Sequence, residues 1–265
     1  MSYKLLVSGG RDFNDVDFIV DYLMRVHKSK NITTLISGGA RGVDTIARMW
    51  AEEMGIIPDI YNVTDSDWKR HGKSAGILRN KRMLDEAQPD GVFCFPGGNG
   101  TAHMYEICYD IPWLEVWQSQ AVYFRKEDKR HWFMSNFAMQ FDFADPSTGE
   151  WWMTAEHYYQ AHKSPIETER SMVQLATSPS EAKRLGKTIN LYNDWDTRKI
   201  DVMRQCIKLK FSPGSEAAQL LTETGWDYLV EYAPWGDVFW GVDKDHLGKN
   251  WLGKLIMERR AQLVG

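Results

Sequence analysis

The sequence predicts two domains in tandem, an α/β Rossmann-like parallel-sheet domain followed by a mainly helical α+β domain. Three observations carry that prediction. Through about residue 119, short apolar runs alternate with stretches of helical periodicity, and several of the runs end in glycines. Beyond it the rhythm stops and aromatics crowd in: of the 12 tryptophans, four lie in residues 1–120 and eight in residues 121–265. A length of 265 residues suits two domains, at roughly 100–200 residues each. The expected domains are 1–119 and 120–265, with the seam in the stretch from Trp117 to Phe124.

Taken in order, Tyr3–Ser8 reads as a buried strand that runs into Gly9-Gly10-Arg11-Asp12. Val16, Ile19, Val20, Leu23 and Val26 then recur at the spacing of an amphipathic helix. Ile32–Ser37 is a second strand ending in Gly38-Gly39, and Val43, Ile46, Ala47, Trp50, Ala51 and Met54 share a helical face that Gly55 is placed to end. Strands at Ile57–Val63 and Gly91–Phe95 flank a helix over Ser74–Glu86. In the second half, short alternating segments come first, and Thr154 is placed to cap a helix through EHYYQAHK. Ser178-Pro179-Ser180-Glu181 is a helix start with Ser at the cap, Pro in the first position and Glu in the third, stopped by Gly186. Helices over Asp196–Lys210 and Leu252–Gln262 complete the reading.

Bulk properties exclude several classes. Net charge is −4, and neither half has the basic excess that nonspecific binding to a phosphate backbone needs. The three cysteines, Cys94, Cys108 and Cys206, are odd in number and lack CxxC spacing, so a reducing compartment is expected rather than a disulfide framework or a zinc site. The seven histidines form no HxxxH pair, and neither a metal nor a cofactor is expected. The apolar run in MSYKLLVSGG is too short for a signal-peptide core. No other run approaches the ~18 apolar residues of a membrane span, so the expected setting is the cytoplasm, with no membrane partner.

The glycines suggest a ligand for the first half. Phosphate needs close approach by backbone N–H groups, which glycine permits, and gains from a helix N-terminus behind them. Three loops supply this: Ser8-Gly9-Gly10-Arg11, Ser37-Gly38-Gly39-Ala40-Arg41-Gly42, and Phe95-Pro96-Gly97-Gly98-Asn99-Gly100-Thr101. A tight strand-to-helix turn explains any one of them equally well, but three that follow strands converge on one sheet edge and favour a nucleotide site. SGGARGVD at Ser37–Asp44, AGILRNKRM at Ala75–Met83 and FPGGNGT at Phe95–Thr101 together resemble the SLOG superfamily over about residues 1–115, most of all its small YspA-like bacterial branch. The resemblance implies nucleotide contacts from Asp44, Arg79, Asn80 and the loop containing Gly97, Gly98, Gly100 and Thr101, beside Ser8, Gly9, Gly10, Arg11, Ser37, Gly38, Gly39 and Gly42. It also implies assembly of copies through this domain. Hydrolytic members carry glutamate two or three residues after the GT, where this chain has His103 and Met104. Binding rather than cleavage is therefore expected here, with Glu106 the alternative carboxylate.

In the second half, Glu156, Tyr159, Gln160 and Lys163 fall at i, i+3, i+4 and i+7, one helical face. Spacing alone fits a solvated stripe or the wall of a polar cleft. Other polar residues set among aromatics, Ser135-Asn136-Phe137, Asp194-Trp195 with Arg198, Glu231, and Asp237 before Trp240-Gly241, suggest a pocket for a flat, charged substrate. FMSNF at Phe133–Phe137, TAEHYYQAHK at Thr154–Lys163, SPSEAKRLGK at Ser178–Lys187, DWDTRKIDVM at Asp194–Met203, KLKF at Lys208–Phe211 and the run from Gly236 to Arg260 resemble the NADAR family of YbiA-like N-glycosidases over about residues 123–263. That resemblance implies hydrolysis of an N-glycosidic bond in a riboflavin-pathway intermediate or an ADP-ribose conjugate, ADP-ribosylated nucleic acid included. Such cleavage passes through an oxocarbenium-like state that a carboxylate stabilises. Glu156 is the expected main carboxylate and Asp237 its partner. Lys163, Arg198 and Lys210 are expected to hold phosphate oxygens, and Trp195 and Trp240 to stack on the base or flank the ribose. Ser135, Asn136, Tyr159, Glu231, Gly241 and Asn250 complete the expected substrate contacts. A protein that captures NAD-derived nucleotides without turnover is the alternative, and the two carboxylates favour the enzyme.

Overall fold

The computed structural model describes residues 2–109, 111–125 and 127–264. The chain divides into two compact units, Met1–Gln120 and Ala121–Gly265.

The first unit is built on a five-stranded parallel sheet. Its elements are β1 (Tyr3–Ser8), α1 (Val16–Lys30), β2 (Ile32–Ser37), α2 (Val43–Glu53), β3 (Ile57–Ile60), α3 (Asp65–His71), α4 (Ala75–Ala87), β4 (Gly91–Cys94), α5 (Asn99–Tyr109) and β5 (Glu115–Gln118). Strand order is β3-β2-β1-β4-β5, so the chain winds outward from β1 on one side and returns to lay β4 on the other. That reversal is the switch point at which open α/β sheets bind ligands. Leu5, Leu6 and Val7 of the central strand are fully buried, as both-faced burial of a parallel strand requires. Asp15 caps α1 by accepting from the Phe18 N–H, and Gly55, at φ 69°, turns the chain after α2. The strand expected over Ile57–Val63 stops at Ile60, because Thr64 and Asp67 close a capping box that starts α3, a helix not anticipated. The third glycine loop is also shorter than expected, since Asn99, Gly100 and Thr101 already belong to the first turn of α5.

The second unit is mainly helical. It comprises β6 (Ala121–Phe124), β7 (Phe143–Ala144), β8 (Trp151–Trp152), α6 (Ala155–Ala161), α7 (Glu167–Gln174), α8 (Pro179–Leu185), α9 (Trp195–Lys210), α10 (Glu216–Glu223), β9 (Tyr228–Glu231) and α11 (Trp251–Val264). β6 pairs in parallel with β9, and β7 with β8 antiparallel. The seam region expected to be a plain boundary thus holds two strands, β5 and β6, one in each unit.

Short helix α6 is the hub. It packs against α7, α8 and α9, and every one of its seven residues is buried. Thr154 caps it, its hydroxyl accepting from the His157 N–H and lying 2.7 Å from His157 Nδ1. His157 Nε2 lies 3.1 Å from the Ala176 carbonyl, so this buried imidazole is satisfied within the core. Trp152 packs edge-on to Tyr158, and His162 stacks on Tyr158 at 3.9 Å. Ser178 caps α8 as expected, with Pro179 in the first turn and Gly186 at its end.

Candidate active site

A cavity of about 640 Å³ opens in the second unit. Eight of the expected residues line it: Glu156, Asp237, Ser135, Asn136, Tyr159, Lys163, Glu231 and Trp240. They come from four stretches of chain: the Ser135–Phe137 loop, α6 and its end, the end of β9, and the turn at Asp237. Glu156 sits in the first turn of α6, and its backbone N–H donates to the Asn136 carbonyl at 3.0 Å, which ties the Ser135–Phe137 loop to the helix start. Ser135 in turn accepts from the Phe137 N–H. Glu231 ends β9. Asp237 heads a turn in which its Oδ1 accepts from the Phe239 and Trp240 N–H groups at 3.2 and 3.0 Å, holding the carboxylate still.

Of the charged lining residues Glu156 is buried, Glu231, Asp237, Lys163 and Lys183 are half-buried, and Arg184 and Lys187 are exposed. Glu156 is buried, and desolvation pushes its carboxyl above the ordinary range, opposed by a 2.8 Å bond from Gln160 Nε2 and by the charges of Lys183 and Lys163. Burial and the neighbouring Asp237 and Glu156 charges push Glu231 up to about 8, a proton-holding carboxyl at neutral pH. Tyr159 meets Trp240 edge-on and Trp195 at a tilt, both at 5.4 Å, and Lys163 Nζ lies over its ring. Basic side chains complete the lining: Lys183, Arg184 and Lys187 from α8 and just beyond it, and Arg125 after β6. Lys183 and Lys187 lie in SPSEAKRLGK, and their four-residue spacing carries no helical-face signal because α8 ends at Leu185. Among the described residues, no group of three or more His, Cys, Asp or Glu is placed to hold a metal ion.

Five expected substrate contacts do not line this cavity. Trp195 is buried and packs behind Tyr159. Arg198 pairs with Asp194 at 3.2 Å and lies over the Tyr192 ring. Lys210 is buried, its pKa lowered to about 7 by desolvation, and its Nζ donates to the Ser135 carbonyl at 2.8 Å. Gly241 is pressed against the Glu231 backbone, where a side chain would collide with the Glu231 carbonyl. Asn250 is buried, donates to the Leu229 carbonyl at 2.9 Å and accepts from the Glu231 N–H at 3.0 Å. Trp195, Lys210, Gly241 and Asn250 each support a lining residue from behind, whereas the contacts of Arg198 are with its own neighbours Asp194 and Tyr192.

In the first unit, the three glycine loops meet at the carboxyl ends of β1, β2 and β4. The Gly10 N–H donates to the Pro96 carbonyl at 2.9 Å, and Gly42, at φ 76°, closes on the Gly10 carbonyl. Arg79 lies so close over Gly38 that a side chain there would overlap its guanidinium, and it stands 4.0 Å from Asp44. Asp44 accepts from the Ala40 N–H at 3.1 Å. Asn80 receives a bond from Arg79 and donates to the Gly100 carbonyl at 2.9 Å. Gly9 backs onto Val43, and Gly97 onto Thr101, whereas Gly98 and Gly100 face open space. Ser37 is buried and its hydroxyl has no hydrogen-bond partner among the described residues. Ser8 ends β1, Gly39 abuts Asn62, and Arg11 lies over the Trp68 ring.

Comparison with known proteins agrees with this division. The model of the YspA, cpYpsA-related SLOG family matches residues 3–71. The riboflavin biosynthesis protein PYRR, chloroplastic, of Zea mays is 41% identical over 128 residues, 43% of this chain and 20% of that protein. A Vibrio vulnificus riboflavin biosynthesis protein, VVA0006, is 32% identical over 60% of this chain and 42% of its own length. The chain therefore spans less than half of either relative. N-glycosidase YbiA of Escherichia coli K12 is 38% identical over 44% of this chain and 73% of its own. The NMR structure of E. coli YbiA superposes with a TM-score of 0.50 at 35% identity, covering 56% of this chain and 88% of that one. The NADAR domain model matches residues 123–264, more than half of the chain, and the protein belongs to the NADAR family.

Proposed function

We propose that the second unit hydrolyses the N-glycosidic bond of a ribose-phosphate or ADP-ribose conjugate, and that the first unit binds a nucleotide. The observation that carries the reading is one cavity lined together by Glu156, Glu231 and Asp237, by Tyr159 and Trp240, and by Lys183, Arg184 and Lys187. Its volume falls within the ~300–1,000 Å³ of small-molecule sites. The N-glycosidase and riboflavin biosynthesis names of the relatives support the same chemistry.

In this reading the basic side chains take phosphate oxygens, and the aromatic wall holds the base and ribose. As the C–N bond breaks, Glu156 stabilises charge at the anomeric carbon and takes a proton from the attacking water. The leaving nitrogen receives the proton held by Glu231, while Asp237, fixed by two backbone N–H groups, supplies a standing negative charge. The products are the free sugar phosphate and the amine or base. In the first unit, the open face at Gly98 and Gly100 on the α5 N-terminus, with Arg79 and Asn80 beside it, suits a phosphate.

The test is incubation with a ribosylaminopyrimidine phosphate and with ADP-ribosyl-guanosine, following free base or amine by chromatography. Release that Glu156→Ala abolishes and Gly98→Ala spares is expected. Tight stoichiometric binding of these compounds with no release would replace the enzyme by a nucleotide-capturing protein.

A further inference from the structure

Gly186, which ends α8, has no conformational need to be glycine. Its φ and ψ of −63° and −7° are ordinary right-handed values that alanine adopts freely. Its requirement is spatial: a methyl group there would overlap the Gln160 carboxamide oxygen and press on Cδ and Cβ of the same side chain. Gln160 is buried on α6, lines the cavity, and gives its Nε2 hydrogen to Glu156 Oε1 at 2.8 Å. Its Oε1, on the side toward Gly186, has no hydrogen-bond partner among the described residues. A buried acceptor left unmade is costly, so the amide is not held by a satisfied network of its own. What holds it is the fit against Gly186 on one side and the bond to Glu156 on the other. With Glu156 ionised, the reverse amide orientation would set oxygen against oxygen, which fixes the direction of the bond.

We infer that Gln160 is a positioning residue for Glu156, and that Gly186 is glycine because the Gln160 carboxamide occupies the space a side chain there would fill. The inference rests on the reading of Glu156 as the reacting carboxylate. It makes the end of α8 part of the machinery that holds the carboxylate, although Gly186 touches no substrate. Hydrogen bonding to the ionised form favours that form, so breaking the contact moves Glu156 ionisation to higher pH.

The experiment compares wild type with Gln160→Met, which keeps length and removes the donor, Gly186→Ala, Gln160→Ala and the Gln160→Ala/Gly186→Ala pair. Two readouts are taken on the full chain: the ¹³C-carboxyl NMR titration of Glu156, and the pH profile with kcat and KM on the ribosylaminopyrimidine phosphate. Gln160→Met and Gly186→Ala are each expected to move the Glu156 titration and the matching limb of the pH profile upward. kcat is expected to fall about ten- to a hundredfold, the range for one hydrogen bond to a charged group, with little change in KM. In the Gln160→Ala background Gly186→Ala is expected to leave the Glu156 titration where Gln160→Ala puts it, because the carboxamide it would displace is already gone and the Cβ contact that remains does not reach Glu156. A Glu156 titration unmoved by Gln160→Met, or an undiminished Gly186→Ala effect in the Gln160→Ala background, overturns the inference. The NMR titration is independent of turnover, so a glycosidase reading that failed would leave this result standing.

Discussion

Asn250 offers the sharpest separation of bracing from substrate contact. Its amide bridges β9 internally: Nδ2 donates to the Leu229 carbonyl at 2.9 Å and Oδ1 accepts from the Glu231 N–H at 3.0 Å, in a side chain 2% exposed. It also stands at φ 51°, a left-handed conformation that asparagine tolerates better than alanine. Asn250→Ala would leave two buried backbone groups unpaired, at about 1–3 kcal/mol each, and add about 1 kcal/mol of backbone strain. The sum, about 3–7 kcal/mol, is a large share of the ~5–15 kcal/mol that holds a domain together. Urea unfolding followed by tryptophan fluorescence is a suitable assay, since eight of the 12 tryptophans lie in residues 121–265. An Asn250→Ala protein within about 1 kcal/mol of wild type, with a raised KM, would refute the bracing role and return Asn250 to the substrate.

Other outcomes follow from the same cavity. Glu231 binds its proton more tightly folded, at about 8, than unfolded, at about 4.3, so between those pH values the folded state holds more protons and stability falls as pH rises. Glu231→Gln should flatten that dependence in thermal melts across pH 4.5–8, and should remove the fall in activity as pH passes about 8. Arg184→Glu combined with Lys187→Glu should raise KM for phosphorylated substrates about tenfold or more at low salt, less at high salt, with kcat nearly unchanged. Equal losses on an unphosphorylated nucleoside would contradict a phosphate role. Thr154→Val removes the α6 cap and the partner of His157 Nδ1, and should cost about 1–3 kcal/mol in denaturant titration.

Much of the fold is legible because its signals are local. Tyr3–Ser8 and Ile32–Ser37 form strands with the boundaries their apolar runs suggest, and Thr154 and Ser178 cap the helices they precede. Four helices escaped. Thr64 and Ser215 do cap α3 and α10, but α7 follows Ile166, which supplies no side-chain cap, and α5 begins inside the residues read as the third glycine loop. The site was legible in its carboxylates and aromatics, whose placement follows from α6 and the turn at Asp237. It was not legible in Lys183, Arg184 and Lys187, which face the cavity only because α8 packs on α6. Lys210 and Asn250 mislead for the same reason: each has a polar head in a motif, and each spends it on a backbone group 75 or 19 to 21 residues away.

The enclosure of α6 has a consequence for how this site can change. A two-turn helix buried on every residue cannot slide or rotate without opening the core around it, so Glu156, the carboxylate proposed to react, is tied to the stability of the whole unit. Lys183, Arg184 and Lys187 of the lining sit on exposed or half-exposed positions of α8 and the residues just beyond it, where substitutions cost little. In the proposed reaction the carboxylate and the phosphate-binding cations are therefore carried by separate stretches of chain under unequal constraint, and new phosphate patterns are within reach of changes that leave α6 alone.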